Sequence, residues 1–457
     1  MHINLAQEGR FDGQTAKEIK TDVLDKFQGV GSRYLIWVTA LTVLVGLGLL
    51  GIMIRISGGF DDHSEWGYTA ATLAFLVTIF AAAPIVSIGQ RYIKSNWRRP
   101  ITRISEIYGI TGILALLLLI PLLKSLPPLE GRNNIWFDWP TFAPMGWSLI
   151  IFGSLALTGL VLLWAVALPD LAAARDHLPP STRRRLINTL SLGWTGYLRQ
   201  WRVHRWGLLT IGAIYLMLFM LVQTLISSDL SAGLLPGYKD AIFPAFQTLQ
   251  GLQGSVAIVL ITMFIVRNAG GYQRYIGVDQ FWALSKPLLA FSLLWFYFWW
   301  STFITLWYGR MPGEQELLKF LMFKTYLVPF LFAFFLNFLI PLLALMWNPV
   351  RKSILGPTLV AVGILIGSMF NQVRMYVSAF SVEDPTTHIL EALPSVQLPD
   401  VADILIMVGA VAAPALLFML VTKIIPVISI WDITEGLPLS QVRDYLGRKV
   451  RVIAKSH

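Results

Sequence analysis

About ten apolar runs recur along the chain, each long enough to cross a lipid bilayer. Crossing the roughly 30 Å of hydrocarbon takes about 20 helical residues. Of the 457 residues, 55% are hydrophobic and only 14% are charged, which is too apolar for a soluble protein of this length. The sequence therefore predicts an all-α integral membrane protein with about ten transmembrane helices. The predicted spans are 33–55, 66–90, 104–124, 143–168, 206–227, 244–267, 283–308, 319–347, 354–378 and 402–428.

Basic and acidic residues alternate between the two ends of these spans. Cytoplasmic loops of membrane proteins carry an excess of Lys and Arg, so the basic side is expected to be cytoplasmic. The basic residues that follow even-numbered spans are Arg91, Lys94, Arg98, Arg99, Arg103, Arg175, Arg183, Arg184, Arg185, Arg199, Arg202, Arg205, Arg267, Arg274, Arg351 and Lys352, with Arg443, Arg448, Lys449, Arg451 and Lys455 in the tail. The acidic residues that follow odd-numbered spans are Asp61, Asp62, Glu65, Asp138, Glu383, Asp384, Glu391, Asp400 and Asp403. Both termini are therefore expected in the cytoplasm.

The net charge of +10 follows from these cytoplasmic basic residues, so we do not expect nucleic-acid binding.

Residues 1–32 are polar and lack the charged-then-apolar pattern of a signal peptide. Within them, the stretch TAKEIKTDVLDKF predicts a short amphipathic helix. We expect this segment to be cytoplasmic.

The chain contains no cysteine, so it offers no thiolate ligand for an iron–sulfur cluster. A b-type haem needs axial ligands that project from inside a helix bundle. The histidines instead lie in predicted extramembrane segments, at His2, His63, His177, His204, His388 and His457. We expect neither a haem nor an iron–sulfur cluster in this chain, and any electrons it handles must reside on another molecule.

Two connections are too long to be simple turns. Residues 170–205 combine an Arg183–Arg185 run with Trp194 and Trp201, and Trp206 follows directly, which predicts an interfacial helix whose aromatic side lies among lipid headgroups. A solvated linker is the alternative. On the outer side, residues 377–403 are acidic and contain proline, which is compatible with a docking surface or with a plain variable loop.

Few polar side chains interrupt the spans. Lys324, about one turn into its predicted helix, and Lys286 are expected to extend toward the membrane surface. The buried amides are expected to join neighbouring helices, and they are Gln223, Gln250, Gln253, Asn337, Asn371 and Gln372. The aromatic run 294–308 is expected to pack between helices rather than to bind a flat ring.

Several separated segments resemble the NrfD/PsrC family, the membrane subunits of polysulfide reductase-type enzymes and of alternative complex III. Together they span most of residues 66–436, in order and in matching topological places. They are NWRRPITRISE (96–106), LPDLAAARD (168–176), LGWTGYLRQW (192–201), SSDLSAGLLPGYKDAIFP (227–244), FSLLWFYFWWSTFITLWYGRMPGEQE (291–316) and PVISIWDITEG (426–436).

The resemblance implies two four-helix bundles embraced by the first and last helices. It also implies a ferredoxin-like iron–sulfur partner on the outer face and a quinone site near that face, within the first bundle. The implied division is 1–32 (cytoplasmic), 33–65 (first flanking helix and outer loop), 66–227 (first bundle), 228–378 (second bundle), 379–403 (outer loop), 404–436 (last flanking helix) and 437–457 (cytoplasmic tail).

Asp229 matches the family's acidic residue at the outer end of the fifth span, which makes it the candidate proton acceptor. Two departures weaken the quinone site. Gln223 stands where active members tend to carry a histidine, and the second span reads FAAAP (80–84) where another histidine is expected. Glutamine can bond a quinone carbonyl but cannot accept a proton at physiological pH. Tyr68 and His63, near the outer end of the second span, are the candidates to compensate.

The leading hypothesis is a membrane subunit of a quinol-oxidising or quinone-reducing electron-transfer complex in the bacterial cytoplasmic membrane. Its substrate would be menaquinone or ubiquinone. Its partners would be the iron–sulfur subunit, membrane lipid and other membrane subunits, with a second paralogue of the same family among the candidates. The alternatives are a structural paralogue without a working quinone site and, from another class, a secondary transporter with a broken mid-membrane helix.

Overall fold

The computed structural model describes residues 15–136, 141–390, 392–445 and 448–453, with side chains through residue 438. Ten helices in these ranges are long and apolar enough to cross a membrane, which confirms the predicted fold class. Numbered as spans 1 to 10, they are Ser32–Gly58, His63–Tyr92, Thr102–Lys124, Met145–His177, Leu198–Leu234, Phe243–Ala269, Val278–Gly309, Leu327–Met346, Leu355–Phe380 and Val401–Val421. The residues Asp138, Glu391, Lys455, His2 and His457 lie outside the described ranges.

Shorter elements connect the spans. The additional helices are Ala16–Gln28, Thr182–Leu190, Pro312–Leu318, Asn348–Arg351 and Ile430–Gly436. The tail, for which the sequence predicted no strand, forms the antiparallel pair β1 (Ser440–Tyr445) and β2 (Arg448–Ile453). Ala16–Gln28 confirms the predicted amphipathic helix, since Ile19 and Val23 on one of its faces are fully buried.

Several predicted boundaries were wrong: span 4 continues to His177 rather than ending at 168, and span 10 ends at Val421 rather than at 428. Two further differences change where side chains lie. Span 5 begins at Leu198 rather than 206, so only Thr182–Leu190 forms a separate helix in the connection after span 4. Span 8 begins at Leu327, so Lys324 precedes the span instead of lying one turn inside it, and its side chain is exposed. Lys286 is also exposed and lies over the Trp282 ring, as expected for a lysine that extends toward the surface.

Spans 1 and 10 pack against each other along glycines. A methyl group added at Gly48 would come within 2.6 Å of the Gly409 Cα atom, so no larger residue fits without moving a backbone. Spans 3 and 4 meet in the same way at Gly109 and Gly159. Close backbone approach at small residues is the usual way in which helices associate in lipid.

The N-terminal helix and the end of span 10 lie on the same side of the helix bundle. The N-terminal helix contacts connections that follow even-numbered spans, since Asp25 pairs with His177 and the Tyr275 hydroxyl donates to Asp22. Near the end of span 10, Lys423 donates to the Gly29 carbonyl. The shared side agrees with the charge pattern, and its assignment to the cytoplasm remains a prediction.

Four π-helical turns interrupt the helices, at Leu76–Ala81, Lys319–Phe323, Phe335–Leu339 and Val373–Val377. Such turns widen a helix locally and occur frequently at functional sites. The first, third and fourth contain Thr78, Asn337 and Arg374, whose polar side chains are completely or almost completely buried. The π-helical turns therefore mark where polar groups enter the apolar interior.

Candidate functional site at the outer end of span 5

Asp229 is the last residue of the helix Leu198–Asp229, and its side chain is only 3% exposed. The connection between spans 3 and 4 covers it. The Trp136 indole Nε1 donates to both carboxylate oxygens, at 3.2 and 3.0 Å. A buried carboxylate normally needs a cation or several hydrogen-bond donors, and a single indole N–H is a weak set of partners for an ionised group.

Arg132, in the same connection, lies near enough to Asp229 for their charges to interact, but it is not within ion-pair distance. It is 6% exposed, and none of its three guanidinium nitrogens has a hydrogen-bond partner among the described residues. Burial lowers the pKa of the Arg132 guanidinium, and the Asp229 carboxylate opposes that shift. A buried guanidinium without acceptors indicates that an oxygen-bearing partner or water belongs beside it.

Gln223 lies six residues before Asp229 on the same helix, roughly 9 Å deeper. It is fully buried, and neither its amide nitrogen nor its amide oxygen has a partner in the described part of the chain. One turn deeper, Phe219 packs against Gly251 of span 6, which places Gln223 on the outer side of that contact. Arg132 and Gln223 thus leave five buried side-chain atoms without a hydrogen-bond partner, and protein interiors normally contain few such atoms.

Tyr68 and His63 have other partners. The Tyr68 hydroxyl donates to the Gln397 carbonyl at 2.9 Å, and the His63 Nε2 atom lies 2.8 Å from the Val382 carbonyl. No hydrogen bond among the described residues joins either side chain to Asp229 or Gln223. Both side chains hold the outer connection that follows span 9 against span 2.

No family model and no curated protein matches the chain. The resemblance to the NrfD/PsrC family therefore remains a prediction, and the site has to be judged on its own geometry.

A second polar group joins spans 2, 6, 7, 8 and 9. Five of the six predicted amides make interhelical or helix-end contacts there, as expected. Their bonds join Gln247 to Gln372 and Tyr376, Gln372 to Thr78, Asn371 to Gln250, Gln253 to Ser292 and to the Asn337 carbonyl, and Ser368 to Asn337. Gln223 is the exception, which strengthens its interpretation as a ligand-facing residue.

Arg374 ends this polar group and was missed by the sequence analysis. It is 2% exposed, and its guanidinium donates twice to the Asn371 side-chain oxygen, at 3.2 and 2.8 Å. Within the described residues it has no carboxylate partner. A single arginine inside the apolar window 354–378 was the available signal, because charges at that depth are rare and usually functional.

Part of the aromatic run on span 7 packs as predicted, whereas Tyr297, Trp300, Trp307 and Tyr308 are exposed. Trp295 is fully buried, and Phe296 stacks on Phe338 of span 8 with ring centroids 4.3 Å apart. Trp299 contacts Phe330 and Phe334 of the same span. The run joins spans 7 and 8, in agreement with packing rather than ring binding.

At the opposite end, three of the segments that suggested the family meet in one buried ion-pair cluster. Asp432 accepts from Arg98 at 2.9 Å and pairs with Arg91 at 3.2 Å, while Asp170 accepts from Arg103 at 2.8 Å. Burial works against the ionised form of Asp432, but the neighbouring arginines outweigh it and hold its pKa well below the usual range. The sequence analysis had treated these arginines only as markers of the cytoplasmic side.

His204 also differs from its prediction. It lies in the helix of span 5 instead of a connection, it is 7% exposed, and its Nε2 atom is 2.8 Å from the Ala165 carbonyl. Its ring packs edge-on against Trp194, Trp201 and Trp431. Trp194 and Trp201 therefore face the protein. Of the three tryptophans predicted to lie among lipid headgroups, only Trp206 is largely exposed, as the interfacial hypothesis requires.

Proposed function

We propose that the chain is a membrane subunit of an electron-transfer complex that oxidises quinol or reduces quinone, and that the quinone ring reacts at the outer end of span 5. The observation that carries this proposal is a buried carboxylate, Asp229, beside two buried polar side chains, Arg132 and Gln223, that lack partners. The resemblance of residues 227–244 to the NrfD/PsrC family supports the same position.

Quinol oxidation releases two electrons and two protons, so the site needs a proton acceptor, donors for the ring oxygens and a nearby electron acceptor. Asp229 would accept the two ring protons in turn, passing the first to the water outside the membrane before it accepts the second. Arg132 or Gln223 would donate a hydrogen bond to a ring oxygen and so acquire the partner that each lacks. Because Arg132 and Trp136 cover Asp229, the connection that carries them has to move for the ring to enter.

The electrons would pass to an iron–sulfur subunit on the outer face, since the chain has no cysteine with which to hold a cluster. The connection after span 9 is suited to such a partner. Tyr68 and His63 hold its backbone, and Arg55 pairs with Asp400 at 2.8 Å and with Asp403 at 2.9 Å. Among its side chains, Leu398 is 80% exposed. A fixed backbone with exposed apolar side chains is a typical docking surface.

The test is the substitution Asp229→Asn in the intact complex, with quinol oxidation measured in native membranes. Removing a proton acceptor is expected to lower turnover by about 10²-fold or more. Asp61→Asn is the matched control, because Asp61 is an exposed carboxylate on the same side. Unchanged turnover in an assembled Asp229→Asn complex would remove quinone chemistry from this site and favour the structural paralogue.

A secondary transporter is the second candidate, favoured by the buried polar group that coincides with π-helical turns in spans 2, 8 and 9. Gentle purification separates the two. An electron-transfer subunit should co-purify with a cysteine-rich iron–sulfur protein and with quinone. A transporter should purify alone and catalyse substrate counterflow in vesicles.

A further inference from the structure

A cavity of about 660 Å³ lies at the end of the molecule that bears the N-terminal helix, on the side opposite to Asp229. It opens between the beginning of span 5 and the helix Ile430–Gly436. Its walls are formed mainly by Trp201, Arg202, Arg205, Trp206, Trp431 and Glu435. The cavity therefore combines indole rings with guanidinium groups at the level where a transmembrane helix begins.

The back wall is rigid. Trp201 packs on Trp431 with ring centroids 5.7 Å apart, and the buried His204 ring contacts both. The Trp431 indole N–H is fixed by the Val166 carbonyl at 3.0 Å. A cavity with fixed aromatic walls is formed before any ligand arrives, which lowers the entropy cost of binding.

The charge of the cavity is positive. Its one carboxylate, Glu435, already accepts from Arg205 at 2.7 Å and from Arg99 at 3.3 Å. Arg202 is exposed, and it makes no ion pair or hydrogen bond among the described residues. One guanidinium thus remains available for an anionic ligand.

An apolar stripe continues from this guanidinium along the outside of span 5. Trp206 lies one turn below Arg202 and is 70% exposed, and Met217, farther along the same side, is also 70% exposed. Ile214 and Leu221 complete the stripe at helical spacing. A ligand whose charged group meets Arg202 can therefore extend an apolar chain along the helix toward the middle of the bilayer.

The geometry points to a binding site for one anionic phospholipid, with its phosphate at Arg202, its headgroup against Trp201 and Trp431, and an acyl chain along the stripe from Trp206 to Leu221. Tryptophan and arginine at the headgroup level suit this ligand, because the ring covers the glycerol region while the guanidinium binds phosphate. The site lies on the side opposite to the proposed quinone site and does not depend on that proposal.

The test uses the full chain in its native complex, with native mass spectrometry titrations of phosphatidylglycerol and phosphatidylcholine. The unaltered protein should bind phosphatidylglycerol more tightly. Arg202→Gln should weaken phosphatidylglycerol binding about fivefold, the effect of one interfacial charge, and leave phosphatidylcholine binding unchanged. Arg202→Glu should weaken it further. Arg185→Gln is the matched control, because Arg185 is an exposed arginine outside the cavity.

Three results would overturn the proposal. One is equal affinity for the two lipids in the unaltered protein. Another is equal weakening by Arg202→Gln and Arg185→Gln, which would indicate a diffuse charge effect without a site. The third is displacement of the lipid by inorganic phosphate alone, which would indicate a site for a soluble anion. Because Arg202 is exposed and unpaired, its substitution is not expected to impair folding.

Discussion

Replacing Asp432 by asparagine should destabilise the protein more than any other single carboxylate-to-amide change near the C terminus. The Asp432 carboxylate contacts Arg98 at 2.9 Å, Arg91 at 3.2 Å and the Thr102 hydroxyl at 2.9 Å, and it is fully buried. Arg91 retains Glu106 as a partner, so Arg98 is left as a buried cation without a carboxylate. Breaking a buried pair in this way costs roughly 3–5 kcal/mol.

The control is Glu435→Gln in the same segment. Glu435 is 32% exposed, and its pairs with Arg99 and Arg205 are screened by solvent, so the expected cost is about 0–1 kcal/mol. Thermal unfolding of the purified protein, followed by tryptophan fluorescence, compares the two variants directly. If Asp432→Asn unfolds at the temperature of Glu435→Gln, the buried cluster does not hold the C-terminal segment and the reasoning is wrong.

The pH dependence provides an independent check. Because the pKa of Asp432 is lowered in the folded protein, its stabilisation is present above the unfolded pKa of about 4 and is lost as the pH falls below that value. The contribution of Asp432 to the unfolding midpoint should therefore be constant from about pH 8 to about pH 5 and should decline in more acidic solution. Asp432→Asn should remove that part of the acid sensitivity.

Two further substitutions test the packing and the site. Gly48→Leu should destabilise the contact of spans 1 and 10 by about 1–3 kcal/mol, because the larger side chain overpacks against Gly409. Gly46→Leu is the control. A methyl group added at Gly46 has no neighbour within 4 Å, so this variant should unfold at the temperature of the unaltered protein. Gln223→Leu should leave the free energy of unfolding unchanged or increase it by about 1–3 kcal/mol, because both amide atoms are buried without partners. The affinity for quinone should fall. A lower free energy of unfolding would show that Gln223 has a structural partner.

The sequence predicted the elements that depend on averages over many residues. Apolar runs gave the ten spans, because each run has to fill the thickness of a bilayer. Span ends were less predictable. Arg199, Arg202 and Arg205 made the beginning of span 5 look like a connection, yet long basic side chains can stay in the headgroup region while the helix continues. Arg374 was missed because a single charged residue hardly changes the mean hydropathy of a long apolar window, so the window still looks uniformly apolar.

The candidate site was only partly predictable, because its residues come from distant parts of the chain. Asp229 and Gln223 were identified on one helix. Trp136 and Arg132 lie about ninety residues earlier, in a connection without any repeated pattern, and only folding brings them beside Asp229. The predicted companions Tyr68 and His63 instead bind the outer connection, since nearby backbone carbonyls satisfy them at hydrogen-bonding distance.

The two ends of the molecule differ in whether their buried charges are paired, and this difference supports placing the chemistry on the outer side. At the end that bears the N-terminal helix, single guanidinium nitrogens also lack hydrogen bonds, but Asp432 and Asp170 each pair with arginine and accept from further donors. Such a network favours a single arrangement and resists change. At the outer end, Arg132 and Gln223 have no partners although they are buried. Natural proteins keep buried polar side chains without any partner mainly where a ligand completes them, so the outer end is the one expected to bind and react.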